Sequence, residues 1–210
     1  MNMDKCNHAD WPTFCLMACA MLLTGCSALP PPQMESPNIY LLEAAPVGKA
    51  MRAKRDLVLA VSTPHAGPGF ATSQMAYVRQ PYELNYFVAN RWADSPARML
   101  EPAIVRALEQ AGDFHSVMAT PGAIPADLRL DTELVRLQQD FATRPSRIQF
   151  TLRAQLIDLR SKRVLASKLF DETENAPSDD AYGGVTAANR ALQRVLEQLA
   201  DFCAGEFGSR

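Results

Sequence analysis

The chain has 210 residues, a formal net charge of −2 and a mean hydropathy of −0.13. That length suits one domain with an appendage, and the near-neutral charge excludes the strongly basic surface that nucleic acid requires. An apolar fraction of 48% excludes wholesale disorder, and 21% charged residues exclude a multi-span membrane protein, which leaves the five cysteines as the unusual feature.

Four of them, Cys6, Cys15, Cys19 and Cys26, fall in the first 26 residues. Phe14 to Leu23 reads FCLMACAMLL, an unbroken apolar run of ten. A bilayer-spanning helix needs roughly 20 such residues, whereas this length is that of a signal-peptide hydrophobic region. Lys5 is the only basic residue before it and is offset by Asp4 and Asp10, so the start codon stays open. Leu23, Thr24, Gly25 and Cys26 then resemble the bacterial lipobox: an aliphatic residue, two small residues and cysteine. The Cys26 thiol is the expected attachment point of a diacylglycerol thioether. Cleavage falls before it and the freed α-amine is acylated, with palmitate as a typical chain. Thr24 and Gly25 are small enough to let a peptidase reach the backbone. Acyl chains contribute about 0.8 kcal/mol per buried CH₂, so two or three make a durable anchor. Position 27 is Ser and not Asp. By the sorting rule that accompanies the motif in Gram-negative bacteria, this implies the periplasmic face of the outer membrane. An ordinary secretory signal with a chance cysteine is the plainer alternative.

The expected organisation is therefore a signal peptide over 1–25, a Pro-rich tether over 26–38 and a folded domain over 39–210. Pro30, Pro31 and Pro32 favour stiff, extended polyproline II in the tether. Only Cys203 remains as a free thiol in the mature chain, so neither an intramolecular disulfide nor a tetrahedral thiolate metal site is expected. Cys203 lies on the apolar side of a predicted helix and reads as a buried, inert thiol.

Within the domain, Ile39 to Leu42 predicts a short strand, and residues 57–61 a strand apolar on both faces, inside a sheet. Residues 62–74 carry Pro64, Gly67, Pro68 and Gly69 and read as loop. MAYVR and YELNYFVA then predict a hairpin turning at Gln80-Pro81, with Tyr82, Leu84, Tyr86 and Val88 on one face. Asp94-Ser95-Pro96 starts a helix whose apolar stripe runs from Met99 to Ala111 and which ends at Gly112. Pro102 predicts a kink or a break in it.

Phe114 to Met118 reads as a short strand. Leu128 to Leu137 is a strand with a bulge where Val135 and Leu137 change face. Ile148 to Leu156 and Val164 to Phe170 form a hairpin with one apolar face, and a polar loop over 174–181 leads to a final amphipathic helix from Val185 to Cys203. The expected fold class is α+β: a largely antiparallel or mixed sheet of six or seven strands, with two main amphipathic helices packed on one face, as a single domain after the signal peptide.

The chemistry-bearing residues are few. His65 lies in a Pro/Gly loop and His115 in a short strand, neither beside a recognisable nucleophile. Gly67-Pro68-Gly69 is a turn and not a phosphate cradle. Asp171, Glu172, Glu174, Asp179 and Asp180 read as a solvated acidic loop, with weak cation binding as the sharper alternative. The expectation is no enzyme, no catalytic residue, no metal and no cofactor. The aromatic hairpin is the exception, because Tyr, Trp and Arg anchor protein interfaces. Tyr77, Arg79 and Tyr86 are its candidate partner-docking residues. Tyr82, Leu84 and Tyr86 packed under the first helix, with Trp92 clamping the helix start, is the bland alternative.

The run from Pro68 to Gln110, PGFATSQMAYVRQPYELNYFVANRWADSPARMLEPAIVRALEQ, closely resembles the ABC-type transport auxiliary lipoprotein family of the paraquat-inducible C type. The lipobox at Cys26, the IYLL strand, the VLASKLF strand and Ala188-Asn189-Arg190-Ala191-Leu192 agree with it, so the resemblance covers nearly the whole mature chain. It implies a non-catalytic accessory lipoprotein that works with an inner-membrane ABC transporter and a periplasmic MCE-domain protein, in intermembrane trafficking of phospholipid or another hydrophobic compound. A homo-oligomer stays open, and nucleic acid is not an expected partner. The alternative is a lipid carrier with its own pocket between sheet and helices, which needs about 300–1,000 Å³. An envelope hydrolase is a third reading and requires His65 or His115 in a cleft beside a carboxylate.

Overall fold

A computed structural model describes residues 36–46, 48, 54–122 and 125–205. The expected signal peptide, the expected lipobox and most of the expected tether lie outside the described residues. The described chain forms β1 (Asn38–Tyr40), β2 (Arg55–Val61), β3 (His65–Ala66), β4 (Gln74–Val78), β5 (Asn85–Trp92), α1 (Pro96–Ala111), β6 (Phe114–Ala119), β7 (Leu128–Asp140), β8 (Arg147–Asp158), β9 (Arg163–Asn175) and α2 (Ala181–Gly205). It is an α+β fold: an open, mixed sheet of nine strands with two helices.

Strand β7 is the spine, because its 13 residues outlast every partner on one side. Along that side β2 pairs at Leu128–Leu130, β3 at Glu133–Leu134 and β4 at Gln138–Asp140, all parallel. On its other side β8 runs antiparallel over the full length, and β9 follows β8 in the same way. β2 also carries β6 in parallel, and β4 carries β5 antiparallel, with β1 parallel on β5. The predicted bulge in β7 is present: the register shifts between Leu134 and Arg136. It turns Leu137 and Gln139 toward the core after Leu128, Leu130, Thr132 and Leu134. Two expectations need correction. Residues 62–74 are not wholly loop, since β3 lies within them, and the strand count exceeds six or seven. A two-residue strand has no periodicity to read; it exists because β7 offers a free backbone edge there.

The helices cover one face of the sheet. Leu100, Ile104 and Leu108 of α1 are buried with Leu59 and Phe114, and α2 buries Leu192, Leu196 and Leu199 with Phe150 and Phe170. Of the two expectations at Pro102, the break is not met: α1 is continuous through that residue. Both Pro102 and Arg98, whose carbonyl loses its bond, lie on the exposed side, so water serves that oxygen. Gly112 closes α1 at φ 76°, donating back to the Leu108 carbonyl.

At the start of α2, the Asp180 carboxylate accepts the Gly183 N–H at 2.7 Å and the Ser178 hydroxyl at 2.9 Å. At its other end, the Arg55 guanidinium donates to the Ala204 carbonyl. Gly183 makes the first arrangement possible, because a Cβ there would lie 2.1 Å from the Ser178 carbonyl oxygen. Gly→Ala inside a helix normally gains up to about 1 kcal/mol. Gly183→Ala is expected to reverse that sign and to destabilise by about 1–3 kcal/mol, since backbone must move. Urea unfolding checks it, and a stabilised variant would contradict the packing.

Cys203 is buried on α2. Burial, with the Asp113 charge adding to it, pushes its thiol from an ordinary value near 9 up to about 12. As pH rises above about 9, the unfolded thiol ionises while the folded one holds its proton, so the folded state loses stability over pH 9 to 12. Urea midpoints measured across that window are expected to fall for the parent chain and to fall less for Cys203→Ala.

Candidate docking site

The β4–β5 hairpin is built around an aromatic cluster. The Tyr77 ring lies 4.7 Å from Phe87 and 5.8 Å from Phe141, and the Arg79 guanidinium stacks 5.3 Å from the Tyr77 ring centre. The Tyr86 hydroxyl donates to the Gly69 carbonyl at 2.9 Å, tying the Pro/Gly loop to β5. Gly69 sits at φ 86°, a left-handed backbone that favours glycine. Trp92 is 3% exposed and packs into the core with Met75, Leu137 and Ile148 around a void of about 10 Å³.

The tip itself is held by side chains. Glu83 accepts from Asn85 at 2.9 Å and from Gln80, and these two bonds hold its carboxyl below the usual range. Tyr82 follows Pro81 in the turn with φ 67° and is fully exposed, as is Val88. The alternative that packs Tyr82, Leu84 and Tyr86 under the first helix does not hold at Tyr82 or at Leu84, both of which are exposed. Pro81 sets the turn, and the residue after such a proline takes a positive φ in a type II geometry. That is the signal by which the exposed Tyr82 could have been found. Of the three candidate docking residues, Tyr77 and Tyr86 are half-buried and structural in part, while Arg79 lies across the cluster from outside.

The remaining family-like residues tie the hairpin to the N-terminal strand. Asn90 Oδ1 accepts from Asn38 and from the Tyr40 hydroxyl, each at 3.1 Å. Asn189 on α2 accepts the Glu43 N–H at 2.8 Å and donates to the Leu41 carbonyl at 3.4 Å. It thereby straps residues 41–43 over the helix, where Leu42 enters the core.

The acidic residues do not form a loop cluster. Asp171 accepts from Thr151 and Arg136, and these hold its carboxyl low. Glu172 and Glu174 pair with Arg194 at 2.8 Å, raising the guanidinium further. Asp179 accepts the Ser146 N–H at 2.6 Å, and Asp180 caps α2. Position 174, expected in a loop, is still strand β9. No metal-binding group of three or more ligands occurs among the described residues. His65 does lie in a groove of about 630 Å³ with Asp131, Glu133, Arg129 and Arg153. There the Ser62 hydroxyl donates to Asp131 at 2.6 Å, and the carboxylates hold the arginines at 2.9 and 2.6 Å. His115 faces the exposed Asp56 at 3.5 Å. Two further spaces among the described residues are open grooves, one of about 340 Å³ beside residues 43–46 and one of about 630 Å³ along the outer side of α2.

Fold and hairpin together define an α+β domain with open grooves among its described residues. Residues 40–200 match the family model described as ABC-type transport auxiliary lipoprotein component, and the chain belongs to that family. Protein XCC0632 from Xanthomonas campestris, of family DUF330, is similar in structure with a TM-score of 0.74 at 24% identity, covering 80% of this chain and 95% of that one. Hypothetical protein CT253 from Chlamydia trachomatis is similar with a TM-score of 0.52 at 11% identity, covering 74% and 100%. At these identities the likeness shows the fold alone. No curated protein matches the sequence. No helix among the described residues is long and apolar enough to cross a membrane.

Proposed function

We propose that this chain is an outer-membrane-anchored periplasmic accessory lipoprotein of an ABC/MCE-type transport system, serving intermembrane traffic of phospholipid or a similar hydrophobic compound by docking and not by catalysis. Family membership over residues 40–200 carries the reading. Cys26 is the anchor, Leu23, Thr24 and Gly25 its processing signal, and residues 26–38 the spacer. Tyr77, Arg79 and Tyr86 form the docking surface for the MCE-domain protein, with Tyr82 as the projecting ring beside them. The spaces of about 340 and 630 Å³ reach the volume of a lipid pocket but are open grooves, and the void beneath the hairpin holds only about 10 Å³, which supports docking over an internal lipid pocket.

A photo-crosslinking residue at Arg79 or Tyr82 is expected to trap an MCE-domain protein in the intact envelope. The same probe at Arg160, in the turn between β8 and β9, is not. Arg79→Glu, which reverses the charge over the Tyr77 ring, is expected to cut the capture at Tyr82 at least about fivefold, the effect of an anchor residue worth more than 1 kcal/mol. Failure to trap any MCE-domain protein from an envelope with an intact transporter would sink the reading.

A further inference from the structure

Of the eight large apolar side chains exposed among the described residues, three meet where the chain enters the domain. Ile39 and Leu41, on β1 and just after it, are more than half exposed, and Val88 on the neighbouring β5 is almost fully so. Exposed singly, such residues are ordinary; here they share one corner. Alternation along β1 turns Tyr40 and Leu42 toward the core and Ile39 and Leu41 away from it. Val88 precedes by two residues Asn90, the partner of Asn38 in the β1–β5 register. In that register and the β4–β5 one, Gln74, Arg91 and Ile39 stand in a row across three strands. All three are exposed, and the row carries one positive and no negative charge.

We infer that this β1–β5 corner is a lipid-contact surface, through which the domain rests on the phospholipid leaflet that holds its anchor. The inference depends on the anchor at Cys26 proposed above. The chain from Cys26 to Pro37 reaches at most about 40 Å when fully extended, and it joins the domain at this corner. The corner is therefore the part of the domain held nearest the bilayer. Interfacial binding scales with the apolar area buried, and three side chains are too few to hold a free protein on a membrane. A short tether changes that, because it sets an effective concentration on the order of millimolar. Ile39, Leu41 and Val88 then enter the boundary of headgroup and acyl chain, and the Arg91 guanidinium meets lipid phosphate beside Ile39. An anchor alone leaves the domain free to turn, and this contact gives it one orientation. The patch shares no residue with the docking surface at Tyr77, Arg79 and Tyr86, so lipid contact and docking are compatible.

Ile39→Cys and Val88→Cys test this, each labelled with a fluorophore in the full lipidated chain and reconstituted into vesicles of phosphatidylethanolamine and phosphatidylglycerol. Cys26 carries lipid and Cys203 is buried, so the introduced thiol takes the label. Arg160→Cys is the control. The β8–β9 turn follows Asp158, which pairs with Leu128, whereas β4 joins β7 at Gln138–Asp140, so the two regions lie about 35 Å apart along β7. A nitroxide on the lipid headgroup is expected to quench the probes at 39 and 88 at least about threefold more than the probe at 160. Ile39→Glu with Leu41→Glu is expected to bring quenching at 88 down to the control level while the chain still floats with the vesicles. Quenching at 88 that survives both substitutions overturns the shared patch. Equal quenching at 39, 88 and 160 on a floating chain overturns the contact and leaves the patch to a protein partner. A chain that does not float overturns the anchor itself, and the contact with it.

Discussion

Cys26→Ser is expected to abolish palmitate incorporation, to leave residues 1–25 uncleaved and to remove the chain from the outer-membrane fraction. The size of the effect follows from the anchor's arithmetic. One acyl chain gives only marginal, reversible attachment, and two or more give a stable one, at about 0.8 kcal/mol per buried CH₂. Removing the thiol removes the thioether and, with it, the cleavage that frees the amine for the third chain. The variant retains its apolar run from Phe14 to Leu23, so lost palmitate and the larger, uncleaved chain are the readouts. Fractionation with metabolic palmitate labelling checks it; a labelled, membrane-bound Cys26→Ser chain would refute the anchor. Ser27→Asp separates sorting from attachment: palmitate is kept, and the chain is expected in the inner-membrane fraction.

Trp92→Ala is expected to destabilise the domain by about 3–5 kcal/mol, the cost of emptying a large aromatic site in a packed core. Trp92 is buried against Met75, Leu137 and Ile148, next to a void of only about 10 Å³, so little collapse can refill the space. Its backbone also bonds the Ser73 carbonyl, and the next residue bonds the Tyr40 carbonyl, which makes this corner a junction of β1, β4 and β5. Domains of this size have about 5–15 kcal/mol in total, so the variant sits close to unfolding. A urea midpoint unchanged from the parent would show the ring to be an exposed interface residue instead. Arg79→Glu makes the contrast, because Arg79 lies over the cluster from outside and its loss is expected to cost less than 1 kcal/mol of stability.

Much of this fold is legible locally. The apolar stripes of α1 and α2, the alternation in β7 and β8 and the bulge at Leu134–Arg136 all appear as periods in the sequence, because each side chain there faces one core. The hairpin is legible in the sequence, and the exposure of its tip is not. Pattern alone sets Tyr82, Leu84, Tyr86 and Val88 on one face, but Pro81 and the positive φ at Tyr82 break the alternation that the pattern assumes. The acidic run from Asp171 to Asp180 misled for a related reason. Its members share a stretch of sequence but face different elements: β8, α2 and the α2 cap.

The sequence alone carries the expectation of a lipobox at Cys26 and, with cleavage before it, of a chain in which Cys203 is the one other thiol. Spacing and residue type carry that expectation, because they depend on neighbours along the chain. Only the tertiary structure decided that β2, β3 and β4 share one side of β7, that Asn189 straps the segment after β1, and that Gln74, Arg91 and Ile39 stand in one row. Strand direction, strand order and register are set by backbone hydrogen bonds between distant segments. Those bonds use the N–H and C=O groups that nearly every residue carries alike, so they leave little trace in residue type.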